Sequence, residues 1–165
     1  AYTLFPYTTL FRSGILSDFP LADATITEID GAHYLFATVG KDCNGNVLNV
    51  YRSKTPLSGY TLTQSIEFDD NIARRAGNVF NWKGKMISPA QVCNKDYGEG
   101  VSFQELTAIN GRVTLKEIKR LPPPTKLYPE GFHTYNVFKD KVIIDGYKYG
   151  SKFLHDLYFK IRTRK

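Results

Sequence analysis

Three short polar turns, each set between two β-rich runs, constrain the fold of this chain more than any other feature. Each pair of runs is rich in Val, Ile, Tyr, Phe and Thr, a pattern that predicts a β-hairpin. The turns recur at intervals of 53 and then 56 residues, which indicates a structural repeat. The three hairpins are ATITEIDGAHYLFATV (24–39), NVFNWKGKMISPAQ (78–91) and TYNVFKDKVIIDG (134–146).

Further strand-like sequence follows each hairpin, and no segment shows a clear helical period. Four antiparallel strands at this spacing are typical of a propeller blade. We therefore predict an all-β fold, a partial propeller of about three four-stranded blades at 22–65, 76–120 and 132–162. The Pro-rich stretch LPPPTKLYP fits an extended connection between blades, because proline lacks a ladder donor. The additional strands are predicted at 47–53, 60–65, 100–109, 112–120 and 152–162.

The number of blades suggests that the chain is a piece of a larger protein. Propellers close with about four to eight blades, whereas we count three with the third incomplete. Residues 3–13, TLFPYTTLFRS, resemble the translated forward adapter of short-read DNA sequencing. We therefore expect 1–13 to be an adapter-derived artefact and 14–165 to be a fragment of one propeller domain. The N-terminal blades of the same chain are missing from this fragment, and we expect them to be its packing partners. The alternative is a smaller, complete β-sandwich.

Charge and composition exclude several classes of function. The chain has a net charge of +6, but Arg12 supplies one positive charge and residues 148–165 supply a net five. Residues 14–147 are therefore balanced, which argues against a nucleic-acid-binding face. No apolar run approaches the roughly 20 residues of a membrane span. Cys43 and Cys93 lie in no Cys/His cluster, so we expect two thiols, no metal site and no cofactor.

Polar residues recur near the start of the first strand of each predicted blade. Asp23, Arg75 and His133 precede the three hairpin turns by eight, nine and seven residues. In a propeller these strands line the central channel, so the three side chains are predicted to meet at one end of it. Because the offsets differ by one, a β-bulge is needed to bring them to one side. Arg74 is an alternative to Arg75, and either arginine also fits an inter-blade salt bridge.

A second group of residues has the chemistry of a carbohydrate site. Gln91, Tyr97, Asn136 and Asp145 combine amides, an aromatic ring and a carboxylate. Sugar hydroxyls need paired donors and acceptors, and their apolar faces need a ring. Several candidates also have a structural interpretation. Asp145 fits turn formation and Tyr97 fits packing, while Asp23 fits a strand cap or turn and His133 a satisfied structural histidine.

Glycoside hydrolysis requires two carboxylates that flank the scissile bond. They lie about 5–5.5 Å apart in retaining enzymes and about 6.5–9.5 Å apart in inverting enzymes. Asp23 is the candidate catalytic carboxylate. Its partner is not placed by the sequence, and the remaining candidates are Asp145 and the acids Glu67, Asp69 and Asp70. Arg75, Gln91, Tyr97, His133, Asn136 and Asp145 are the predicted substrate-binding residues.

Two stretches resemble known propeller families. DATITEIDGAHYLFAT (23–38) resembles a hairpin of five-bladed propeller glycosidases of the family-43 and family-32 type. The runs 73–106 and 131–146 are similar to the N-terminal propeller domain of plant glucosamine inositolphosphorylceramide transferases and bacterial relatives. Ser88 stands where that pattern has Arg, and the proline of its R-P-A-G motif is missing. The matching residues are Arg75, Ala76, Gly77, Pro89, Ala90, Gln91, Cys93, Tyr97, Gly98, His133, Thr134, Asn136, Asp145 and Gly146.

This resemblance implies a five-bladed, glycosidase-like propeller that handles glycans. It does not imply transferase activity, because the transferase chemistry of the plant proteins belongs to a separate domain. By the same resemblance, Asp23 corresponds to an acidic channel residue of the glycosidases. We expect a fragment that binds a glycan or glycoconjugate and hydrolyses it only if the carboxylate set is complete. The alternatives are a non-catalytic carbohydrate-binding module and an interaction scaffold.

Overall fold

The computed structural model describes residues 20–40 and 44–151, and within them the chain is all-β with antiparallel sheets. Sheet 1 has the order β1-β2-β3-β4, sheet 2 the order β5-β6-β7-β8, and sheet 3 is the hairpin β9-β10. The adapter-like residues 1–13, Cys43 and the strand predicted at 152–162 lie outside the described residues. The strands are β1 (Leu21–Ile29), β2 (Ala32–Val39), β3 (Val47–Ser53), β4 (Thr61–Glu67), β5 (Phe80–Trp82), β6 (Lys85–Val92), β7 (Gly100–Ile109), β8 (Arg112–Leu121), β9 (Tyr135–Phe138) and β10 (Lys141–Ile144).

Local turn chemistry explains why the hairpins form where the sequence predicts them. Asp30-Gly31 adopts positive φ at both residues, 50° and 72°, which is the type I′ geometry that matches the twist of paired strands. The turn between β5 and β6 and the turn between β7 and β8 have the same signature, with an L-residue followed by glycine. The β9–β10 turn differs, because only its first residue, Lys139, has positive φ.

Sheets 1 and 2 pack against each other through a shared apolar core. Phe36, Leu48 and Val50 of sheet 1 contact Leu106 and Val113 of sheet 2, and all five are almost completely buried. Burial of side chains of this size contributes about 1.5–3 kcal/mol each. Burial of this interface therefore stabilises the packing of the two sheets against each other.

The side-chain amide of Gln64 extends this interface with a pair of hydrogen bonds like the pair that two neighbouring strands exchange. The amide nitrogen of Gln64 on β4 donates to the backbone oxygen of Val113 on β8, and the Val113 N–H donates back to the Gln64 amide oxygen. The donor–acceptor distances are 2.9 and 3.0 Å. The pair satisfies backbone groups that would otherwise lie unpaired between two sheet edges.

The segment before β5 joins all three sheets. The backbone oxygen of Gly77 accepts a hydrogen bond from the Thr25 hydroxyl of β1, and the oxygen of Ala76 accepts one from the N–H of Tyr135 on β9. Gly77 is required at this crossing, since a Cβ built there would lie 2.2 Å from the Tyr135 oxygen. The first strand of each sheet is thus brought next to this one segment.

Among the described residues, the structure contains no helix that is long and apolar enough to cross a membrane.

Candidate functional site

A polar cavity of about 260 Å³ lies where the first strands of the three sheets approach one another. Five of the seven residues that the sequence singles out line it, together with residues next to them along the chain. Asn136 and Asp145 lie outside the lining. The lining residues are Asp23, Ala24, Thr25, Arg75, Ala76, Gly77, Gln91, Tyr97, His133 and Thr134.

A β-bulge directs Asp23 toward this cavity. Between the pairs Ala22–Thr38 and Thr25–Phe36, two residues of β1 oppose a single residue of β2. Asp23 is the first of the two and has φ of 45°, a left-handed conformation that aspartate tolerates better than most L-residues. The bulge supplies the one-residue shift that the unequal spacing in the sequence requires.

The Asp23 carboxylate is held by one oxygen only. Its Oδ2 accepts hydrogen bonds from Nε of Arg74 at 2.6 Å and from the amide nitrogen of Gln91 at 2.7 Å. No described residue donates to Oδ1, and the side chain is 42% exposed. Asp23 is therefore a fixed anion with one oxygen available to a ligand.

The two adjacent arginines point in opposite directions, as expected in extended backbone. Arg75 is 1% exposed, and its guanidinium donates to the backbone oxygens of Ile72 and Ala73 and to the side chains of Ser88 and Gln104. Burial lowers the pKa of Arg75 to about 9, which still leaves it charged at neutral pH. Because these bonds tie Arg75 to strands β6 and β7 and to the segment just before it, Arg75 supports the cavity wall, and it is Arg74 whose guanidinium reaches Asp23.

Arg74 connects the carboxylate to the aromatic side of the cavity. Its guanidinium also donates to Oδ1 of Asn44 at 2.5 Å and lies 4.9 Å from the ring centroid of Tyr97, a cation–π distance. Tyr97 is 36% exposed. Partial burial raises the pKa of the Tyr97 hydroxyl, and the positive charge of Arg74 opposes that rise.

The sequence left the choice between the two arginines open. Alternation along an extended segment places neighbouring side chains on opposite faces, but it does not say which of the two faces is inward.

His133 is oriented by a neighbouring carboxylate. Its Nδ1 lies 2.8 Å from Oδ2 of Asp145, and Oδ1 of Asp145 accepts the backbone N–H groups of His133 and Thr134 at 2.9 and 2.8 Å. The His133 ring lies 4.9 Å from the Tyr97 ring. Within the described residues Nε2 of His133 has no hydrogen-bond partner, so Asp145 acts behind His133 while the imidazole lines the cavity.

Gln91 carries an unsatisfied buried atom in the cavity wall. It is 2% exposed, and its amide nitrogen donates to Asp23 and to the backbone oxygen of Arg75. Its Oε1 has no partner among the described residues. A buried acceptor without a donor is costly, so the wall has unused capacity to bind a hydroxyl or a water molecule.

The Asn136 side chain joins two sheets and does not line the cavity. Its side-chain oxygen accepts the backbone N–H of Asn78 at 2.9 Å, which ties sheet 3 to the segment before β5. Asn78 in turn bonds the backbone of Val137 with both its amide oxygen and its amide nitrogen.

The described residues contain no cluster of three or more His, Cys, Asp or Glu side chains that could hold a metal ion.

Replacing Gly98 with alanine is expected to lower the free energy of unfolding by about 1–3 kcal/mol. Gly98 has φ of +62°, and an added Cβ would lie 2.6 Å from the Cβ of His133. The substitution therefore adds backbone strain and pushes His133 away from the cavity. Urea denaturation followed by circular dichroism measures the change.

The matched control for this substitution is Gly150→Ala. A Cβ at Gly150 would meet no atom within 4 Å, and its backbone is not left-handed. We expect its stability to stay within about 0.5 kcal/mol of the wild type. Equal stability of the two variants would contradict the close packing of Gly98 on His133.

Comparison with known proteins gives a distant relationship. Two curated proteins, glucosamine inositolphosphorylceramide transferase 1 from Oryza sativa subsp. japonica and from Oryza sativa subsp. indica, are each 28% identical over 116 residues. The match covers 66% of this chain, and the chain spans about 15% of the length of these relatives. No family model matches the chain. No solved structure matches it either.

This level of identity supports a loose relationship to the glucosamine inositolphosphorylceramide transferases. The aligned length corresponds to a small part of each relative. The activity of the whole relatives therefore does not pass to this chain by similarity alone.

Proposed function

We propose that this chain binds a glycan or glycoconjugate in the cavity formed by Asp23, Gln91, Tyr97 and His133. The observation that carries the proposal is the Asp23 carboxylate, whose Oδ2 is anchored while its Oδ1 has no donor in the part of the chain that the structure describes. Because the carboxylate is already held in place, it can accept hydrogen bonds from sugar hydroxyls with little further loss of conformational entropy.

The rest of the cavity complements this anion. The Tyr97 ring offers an apolar surface, Nε2 of His133 offers a further polar contact, and Gln91 offers an unsatisfied acceptor. A volume of about 260 Å³ lies just below the roughly 300–1,000 Å³ of typical small-molecule sites. That size suits one sugar unit better than a long chain.

The three sheets support a propeller architecture for the whole domain. In this proposal sheets 1, 2 and 3 are blades of a five-bladed, glycosidase-like propeller, and their first strands border its central channel. The shared contacts of Gly77 and Ala76 with β1 and β9 support that order. Residues 14–165 would then belong to one domain.

The relatives suggest which sugars to test first. Their name includes glucosamine, whose ammonium group would pair with the free oxygen of Asp23. Isothermal titration calorimetry with glucosamine, N-acetylglucosamine, glucose, mannose, galactose and myo-inositol tests the proposal. We expect at least one of these to bind the intact chain with a millimolar or lower Kd.

Asp23→Asn is expected to weaken that binding about ten- to hundredfold, because a hydrogen bond to a charged group contributes about 1.5–3 kcal/mol. Asparagine tolerates the left-handed backbone of this position, so the bulge should survive. Asp30→Asn is the matched control, since Asp30 has a similar φ of 50° at the other end of β1. Unchanged affinity in Asp23→Asn, or no binding of any listed sugar to the wild type, would refute the proposal.

Hydrolysis of a glycosidic bond is the second candidate function, and the pair of His133 and Asp145 is the observation that favours it. A histidine whose Nδ1 is held by a carboxylate presents Nε2 as a proton acceptor. Asp23 is the one carboxylate among the described residues that lines the cavity. Release of p-nitrophenol from p-nitrophenyl glycosides tests this function, and activity that persists in His133→Gln would exclude His133 from it.

A further inference from the structure

A strip of aromatic side chains runs outward from the candidate site. Tyr97 lines the cavity and contacts His133, whose ring lies 6.5 Å from that of Tyr147. The Tyr147 ring in turn lies 5.8 Å from that of Tyr149, in an edge-to-face arrangement. We call Tyr97, Tyr147 and Tyr149, with His133 between them, the aromatic strip.

Two rings of the strip, those of Tyr147 and Tyr149, are held in place by hydrogen bonds within the protein. The Tyr147 hydroxyl donates to the backbone oxygen of Tyr97 at 2.5 Å, and the Tyr149 hydroxyl donates to Oδ2 of Asp96 at 2.7 Å. The backbone of Tyr147 also pairs with Gly131, and a Cβ at Gly131 would lie 2.6 Å from the Tyr147 ring. Immobilised rings bind at a lower entropic cost than mobile ones.

The hydroxyls of Tyr147 and Tyr149 are both hydrogen-bonded, so what these two rings can add to a ligand is contact through the exposed part of their apolar surface. Burial is the main cause that raises the pKa of both the Tyr147 and the Tyr149 hydroxyls. Both side chains are only partly buried, however, and Tyr97 is exposed. The strip thus combines apolar surface, rigidity and continuity with the cavity.

We propose that the aromatic strip binds the sugar units adjoining the one in the cavity, so that the ligand is an oligosaccharide or glycoconjugate of at least two units. This inference rests on the proposed function of the cavity. The strip begins at the cavity wall itself, since Tyr97 belongs to both. A chain that leaves the cavity on this side therefore passes over Tyr147 and Tyr149.

The test is the dependence of affinity on chain length. Calorimetry compares glucosamine with its β-1,4-linked dimer and trimer, and glucose with cellobiose and cellotriose. For the wild type we expect the Kd to fall about tenfold from monomer to trimer, the size of one additional ring contact. In Tyr149→Ala the ratio of monomer Kd to trimer Kd should fall to about one.

Two further variants keep the test interpretable. Tyr149→Phe keeps the ring and loses only the hydrogen bond to Asp96, so we expect most of the length dependence to remain. Tyr60→Ala removes a tyrosine directly before β4 whose hydroxyl donates to the backbone oxygen of Pro56, and it should leave the ratio at the wild-type value. Melting temperatures verify that each variant is folded.

The outcomes separate this inference from the proposed function. If monomers bind but the wild type shows no dependence on length, or if Tyr149→Ala keeps the wild-type ratio, the strip is not a sugar subsite and the cavity proposal stands. If none of the monomers binds to the wild type, the proposed function itself is refuted, and this inference with it.

Discussion

Replacing Arg75 with methionine will lower the free energy of unfolding by about 3–5 kcal/mol. Methionine fills much of the same space but has no donor. The substitution therefore leaves the backbone oxygen of Ala73, the hydroxyl of Ser88 and the amide oxygen of Gln104 without their present donors. The backbone oxygen of Ile72 keeps one donor, the side-chain nitrogen of Gln104.

The size of this effect follows from burial. Arg75, Ser88 and Gln104 are each at most 1% exposed, so water cannot replace the lost bonds. Replacing a buried ion by an apolar residue is sometimes neutral, but only when its partners are removed with it. Here two of the partners are backbone carbonyls, which no substitution removes.

Urea denaturation monitored by circular dichroism gives the unfolding free energy of this variant. Arg112→Met is the matched control, because Arg112 is exposed at the start of β8, and we expect it to change stability by less than about 0.5 kcal/mol. Arg75→Lys should fall between the two, since an ammonium keeps the charge but cannot span all of the acceptors. Wild-type stability in Arg75→Met would show that the network is not structural.

Replacing Asp145 with alanine is expected to lower the free energy of unfolding by about 2–3 kcal/mol and to abolish ligand binding. The substitution removes the acceptor for two backbone N–H groups and for Nδ1 of His133. The carboxylate is 36% exposed, so water will compensate for part of the loss. His133 is then free to leave the cavity wall.

Asp145→Asn separates the structural from the orienting role of this carboxylate. The asparagine oxygen still accepts the N–H groups of His133 and Thr134, so the loss of stability should be less than half of that in Asp145→Ala. Its NH₂ group, however, must donate to Nδ1 of His133, which moves the ring proton to Nε2. Nitrogen-15 NMR of the His133 ring detects this tautomer.

Asp140→Ala is the control on the same hairpin, where Asp140 is an exposed turn residue between β9 and β10. We expect it to leave both stability and the His133 tautomer unchanged. A His133 ring with the same tautomer in the wild type and in Asp145→Asn would contradict the orienting role.

The hairpins were readable from the sequence because their information is local. Asp30-Gly31 and Asn110-Gly111 specify left-handed turns by their own backbone preferences, and alternating β-branched and aromatic residues specify the strands around them. Strands β3 and β7 accordingly span the predicted residues 47–53 and 100–109. Whether the sheets belong to a five-bladed propeller is not local information, and it remains a proposal.

The candidate site was only partly readable. Asp23, Gln91 and His133 could be selected because they are polar residues at recurrent positions near the hairpins. Arg74 and Arg75 could not be told apart, because two neighbours in a strand differ only in the face they present. The choice depends on which face meets Gln104 of β7, 29 residues further along the chain.

The sequence by itself determined the strand order along the chain, the positions of the hairpin turns and the residue types available for polyhydroxylated ligands. Only the tertiary structure decided which of those residues share one cavity. It placed Arg75 in the core, Asn136 in an inter-sheet bond, Asp145 behind His133, and Arg74 on Asp23. The reason is physical: a turn is specified by neighbouring residues, whereas a site depends on how distant strands pack and on which polar groups remain unsatisfied after packing.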